Sequence, residues 1–176
     1  MQMRRMPSRV VLFAGTLVLL GAIGVRADHD GDHQRRVEVT FTKWVLNGGA
    51  GPFMSGVTGG DIEGDFVGEV LGNIRSARVP SVVNRLEVIY EVQAGDRSFT
   101  ALLYGGQYKA GGVPLGGIAH FSGIVLGGWR AGSPVRAEWV AMSGPVNCPS
   151  PPEGAGALCF VGTITIERPD HDRDDH

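Results

Sequence analysis

Asp and His gather at two places in this 176-residue chain, Asp28-His29-Asp30-Gly31-Asp32-His33 and Asp170-His171-Asp172-Arg173-Asp174-Asp175-His176. The two stretches hold seven of the ten Asp and four of the five His. Imidazole suits Zn, Cu and Ni, and carboxylates extend the range to Ca and Mn. His29, His33, His171 and His176 are therefore the candidate ligands of a divalent cation, held jointly if the first and last strands of the domain pair. An EF-hand is excluded. Its loop needs D-x-D-x-D-G and a Glu at the twelfth position, where Val39 stands. The plainer reading is a pair of solvated polar tails.

His120 is the only other His. It lies in an apolar run beside Phe121 and Ser122, and acid–base work there would need a carboxylate neighbour and an accessible cavity. No G-x-S-x-G elbow or Ser-His-Asp spacing supports nucleophilic hydrolysis. Glu63, Glu69, Glu87, Glu91 and Glu138 fall in segments with strand patterning. There they are expected to face outward and pair with Arg85 and Arg136 across strands. Tyr90, Tyr104, Trp129 and Trp139 are the candidate wall of a pocket for a flat apolar ligand. No phosphate loop, C-x-x-C pair or glycosylation sequon occurs, so no cofactor is implied.

The compartment follows from the leader and the cysteines. Residues 1–9 carry Arg4, Arg5 and Arg9 and no acid, residues 10–25 are almost wholly apolar, and Val25-Arg26-Ala27 suits signal-peptidase cleavage. Cleavage after Ala27 removes four Arg and no acids and leaves a chain of net charge −6, with Lys43 and Lys109 as its only lysines. Such a chain has no basic stripe for nucleic acid or anionic membrane. Cys148 and Cys159, the only cysteines, flank a Pro- and Gly-rich loop and are expected to form a disulfide in an oxidising compartment. The protein is expected to be secreted or periplasmic, free of the membrane once the signal is cut.

The elements that must position these residues are strands. Val37, Val39 and Phe41 alternate with polar neighbours. So do Leu86, Val88, Tyr90 and Val92, then Phe99, Ala101 and Leu103, then Val135, Ala137, Trp139 and Ala141, and last Leu158, Phe160, Ile164 and Ile166. Period two puts one face in a core and the other outward. Segments 61–72 and 117–129 are further strands, blurred by glycine. Turn signals such as Gly48 to Pro52, Gly95-Asp96 and Gly132-Ser133-Pro134 separate them. No window has helical apolar spacing. The reading is an all-β single domain over 37–168 between polar tails 28–36 and 169–176. Seven or eight strands form an antiparallel β-barrel, with a β-sandwich as the alternative. Gly64, Gly68, Gly123, Gly127 and Gly162 within strands predict bulges or sharp bends.

Val57-Thr58-Gly59-Gly60, followed by Gly64, Phe66, Gly68 and Val70, resembles the glycine-rich strand pair of the allene oxide cyclase and dirigent barrels. The run from Gly116 to Trp129 has the same texture of small and aromatic residues. In those families the T-G-G stretch lies toward the C-terminal part of the barrel. Here it lies early, so no catalytic position is carried over. The resemblance implies an eight-stranded barrel with a hydrophobic cavity, in families that cyclise or orient small apolar molecules. The function expected is an exported barrel that binds a small hydrophobic molecule or serves structurally. The alternatives are a cyclase or isomerase with His120 or a strand Glu as its acid–base group, and a cation-binding surface made by the tails.

Overall fold

A computed structural model describes residues 36–74, 82–108 and 117–168. The leader and both Asp/His tails, with His29, His33, His171 and His176, lie outside the described residues. Alternation of apolar and polar residues produces eight strands: β1 (Arg36–Val45), β2 (Phe53–Gly60), β3 (Gly64–Ile74), β4 (Val82–Gln93), β5 (Phe99–Tyr108), β6 (Ile118–Gly128), β7 (Pro134–Ser143) and β8 (Leu158–Glu167). Each pairs antiparallel with the next, and β8 returns to β1 from Arg36↔Glu167 to Trp44↔Cys159, which closes a barrel. Closure leaves no strand edge unpaired, so every strand contributes one face to a common interior.

The inward parity is the one that the sequence indicates. Val37, Val39, Phe41, Val88, Tyr90, Val92, Phe99, Ala101, Leu103, Val135, Ala137, Trp139, Ile164 and Ile166 are all buried in one cluster. Burying each large apolar side chain contributes about 1.5–3 kcal/mol. The two glycine-blurred segments are strands as expected, at Gly64–Ile74 and Ile118–Gly128 in place of 61–72 and 117–129. Residues 61–63 form the turn before β3, so Glu63 is a turn residue, and β2 is a separate strand that periodicity alone does not reveal.

Of the glycines expected to mark bulges, Gly127 adjoins one, since Gly127 pairs with Thr100 and Val125 with Ala101. Gly64, Gly68, Gly123 and Gly162 stay in register and let backbone and rings approach closely. The other register shifts fall between Val70 and Gly72 and between Val82 and Asn84. Gly56 sits opposite Lys43 and Phe66, Gly68 opposite Tyr90, Gly105 opposite Phe121, and Gly162 opposite both Phe41 and Trp139. Small residues are thus placed beside large ones around the barrel. At Gly162 a Cβ would lie 2.8 Å from the Phe41 ring and 1.9 Å from the Glu138 carbonyl oxygen. Such glycine–aromatic pairing fits bulky rings inside a narrow barrel.

The two ends differ. At one, residues 61–63, 94–98 and 129–133 make tight connections, and Ile62 turns inward as a buried plug. At the other lie the longer described connections 46–52 and 144–157. The disulfide Cys148–Cys159, with a Cα–Cα distance of 5.5 Å, folds the last of these back along the outer wall. Trp44, outward on β1, is buried there against both cysteines and beside Met142, Ala155 and Val161.

Candidate functional site

Period two along β1 runs Val37, Val39, Phe41 and then Lys43 on the inner face. The lysine follows its strand's parity into the core and is 2% exposed. Its Nζ donates a hydrogen bond to the Tyr90 hydroxyl. Nζ lies 3.9 Å from the ring centroid of Tyr90, 5.3 Å from Phe41, 5.4 Å from Phe66 and 5.6 Å from Trp139. The rings support one another: Phe41 stacks on Phe66 at 5.4 Å, and Phe66 meets Tyr90 edge-on at 4.9 Å.

No carboxylate pairs with Lys43 among the described ion pairs, which are Arg36–Glu38 and His120–Glu138. Burying an unpaired ammonium costs several kcal/mol, whereas a ring facing it returns about 0.5–2 kcal/mol. Desolvation therefore wins, and burial pushes the Lys43 amine well below the ordinary lysine range. Burial likewise raises the Tyr90 hydroxyl above its usual range, opposed by the neighbouring Trp139 N–H. Trp139 Nε1 is buried and makes no hydrogen bond of regular geometry among the described residues. The interior thus holds an amine, a phenol and an indole N–H together within apolar walls. They offer more donors than acceptors.

The polar cluster lies one inward position below the end that carries the longer connections. Val45 follows Lys43 on the inner face of β1, and Phe160 of β8 is the cross-strand partner of Lys43. Val45, Val70, Leu86 and Phe160 are only partly buried and pack on the core at this end. They form an apolar layer between the amine and this end of the barrel. Asn84 and Gln107 stand on the same wall, with Asn84 Nδ2 donating to Gln107 Oε1 at 2.9 Å. Asn84 Oδ1 is buried without a partner.

The aromatic residues singled out in the sequence separate into three places. Tyr90 and Trp139 meet inside, beside Lys43. Tyr104 faces outward on β5, half exposed, where desolvation and then the adjacent Glu87 carboxylate hold its hydroxyl above the usual range. Trp129 lies at the plugged end, with the Arg130 guanidinium 4.6 Å and the Arg97 guanidinium 5.9 Å from its ring. His120 is exposed on the outer wall, its Nδ1 3.2 Å from Glu138 Oε1 and its ring 6.1 Å from Tyr108. With Tyr104, Gly106, Arg85 and Arg136 they line an open outer groove. The expected Glu–Arg pairing across strands gives way in the described ion pairs to a Glu–His pair and a same-strand Arg36–Glu38 pair. Among the described residues no group of three or more His, Cys, Asp or Glu could hold a metal.

Lys43 is the residue that the search for motifs passes over. Its signal was its position, since it continues the inward parity of β1 and is one of two lysines in the chain. Neither a family model, nor a curated protein, nor a solved structure matches this chain.

Proposed function

We propose that the protein is an exported β-barrel that binds a small apolar molecule bearing one carbonyl head. The tail would lie among Val45, Val70, Leu86 and Phe160, and the carbonyl oxygen would reach the donors of Lys43, Tyr90 and Trp139. The observation that carries this reading is the amine, fully buried without a carboxylate among the described ion pairs, beside an indole N–H with no hydrogen-bond partner among the described residues. Local rules broken at such cost are characteristic of functional sites. A ligand oxygen would accept from the Trp139 N–H and from the amine, while the barrel wall would cover its apolar part. Export rests on the leader and on the disulfide, which is compatible with an oxidising compartment. Among the described residues no helix is long and apolar enough to cross a membrane.

Binding is favoured over cyclisation. His120, the acid–base candidate of the cyclase reading, stands on the outer wall beside Glu138 and away from Lys43. The test is a thermal-shift and calorimetric titration with 2-nonanone and, in parallel, n-nonane. The ketone is expected to stabilise the fold, and Lys43→Met to weaken ketone binding about tenfold, the equivalent of one hydrogen bond. Equal effects of ketone and alkane, or no stabilisation by either, would count against a carbonyl site.

A further inference from the structure

The interior amine has chemistry beyond hydrogen bonding. A primary amine is nucleophilic only when it carries no proton, and lysines become so by desolvation in apolar pockets. Lys43 meets that requirement geometrically. Four aromatic rings surround its Nζ, no carboxylate pairs with it among the described ion pairs, and its one hydrogen-bond partner is a neutral phenol. Because the neutral amine and the Tyr90 phenol can each donate to the other, the nitrogen lone pair is free to attack whenever the N–H is the donor. Val45 lies one inward position beyond it on β1 and Phe160 opposite it on β8, both only partly buried, so a single apolar layer separates it from that end of the barrel.

We propose that Lys43 captures small apolar aldehydes as a reversible imine, a step that rests on the carbonyl-binding reading above. The lone pair attacks the aldehyde carbon while the carbonyl π bond opens, giving a carbinolamine. The two protons lost by the nitrogen and the former carbonyl oxygen leave as one water, and a C=N bond joins Nζ to the ligand. The Tyr90 hydroxyl is placed to pass a proton to the oxygen and regain one from the nitrogen, so it ends unchanged. No oxidant or reductant is consumed, and water reverses the bond. The apolar wall favours the imine by excluding water from it.

The chain suits a decisive test because Lys43 and Lys109 are its only lysines. The intact, disulfide-bonded protein is incubated with nonanal at pH 7 and reduced with cyanoborohydride, and its peptides are mapped by mass. The proposal expects alkylation of Lys43 to exceed that of Lys109 by about tenfold or more, because an ordinary lysine is almost wholly protonated at this pH. Lys109→Arg should leave the Lys43 adduct intact, and Tyr90→Phe should slow its formation. Alkylation at Lys109 and the amino terminus with Lys43 unmodified overturns the imine. If 2-nonanone still binds in that case, the non-covalent reading survives alone. If neither carbonyl compound binds, both readings fall. Mapping the unmutated protein keeps the outcome independent of whether any variant folds.

Discussion

At the residue scale, the energetics of this barrel turn on Lys43. A lysine whose pKa in the fold lies well below its ordinary value binds fewer protons folded than unfolded. Stability therefore rises with pH between the depressed folded value and the ordinary value near 10.4. Tyr90 acts the other way at the top of this range. Its folded pKa is raised, so the stability it supplies is present below about pH 10 and is lost above it. Chemical denaturation of the wild type should therefore show stability climbing from neutral pH toward about pH 10 and then falling. Lys43→Met should remove the climb and raise stability at pH 7 by about 1–3 kcal/mol, since exchanging a buried, uncompensated polar group for an apolar one of similar length is stabilising. A variant less stable than wild type at pH 7, with the climb retained, would contradict the burial argument. His120→Ala should change stability by less than about 0.5 kcal/mol, as exposed pairs such as His120–Glu138 do, and should leave ketone binding unchanged. Motif reading found His120 because imidazole is a recognised catalytic type. It passed over Lys43 because one lysine in a strand carries no motif, and only its parity with Val37, Val39 and Phe41 marked it.

At the element scale, the strands were legible wherever alternation was clean. β1, β4, β5, β7 and β8 follow the inward residues that the pattern names. β2 was legible only through its T-G-G texture, because with Gly56, Gly59 and Gly60 in eight residues it has too few side chains to alternate. The same glycines allow the large interior residues to fit, which makes a testable contrast. Gly162→Ala should cost about 1–3 kcal/mol or more in a melting experiment, because overpacking forces neighbours from their places. Its new Cβ would fall 2.8 Å from both the Phe41 ring and the Trp139 Cβ. Gly127→Ala, with nothing within 4 Å of its Cβ, should be near neutral. Equal costs would show that the close packing around Gly162 is not limiting. The Cys148–Cys159 bridge is separated by 11 residues and covers Trp44. Its reduction should cost about 3 kcal/mol and alter the near-ultraviolet signal of that tryptophan. An unchanged denaturation midpoint would remove the bridge from the stability argument.

At the scale of the whole molecule, closure of β1 on β8 turns a glycine-rich meander into a barrel with unequal ends. Ile62 plugs one end, and a layer of partly buried apolar residues stands over a polar floor at the other. The class of fold was legible because period two and turn spacing determine it. The floor of the site was not, because it is assembled from β1, β4 and β7, which are distant in sequence and meet only on closure. The claim at the centre is that this floor holds an uncharged amine. The most direct measurement is a pH titration of the lysine side-chain Nζ signals by heteronuclear NMR on the folded protein, where only two resonances exist. Lys43, assigned as the signal that disappears in Lys43→Met, should remain unprotonated far below the ordinary lysine value near 10.4. Two signals that both titrate near 10.4 would contradict it.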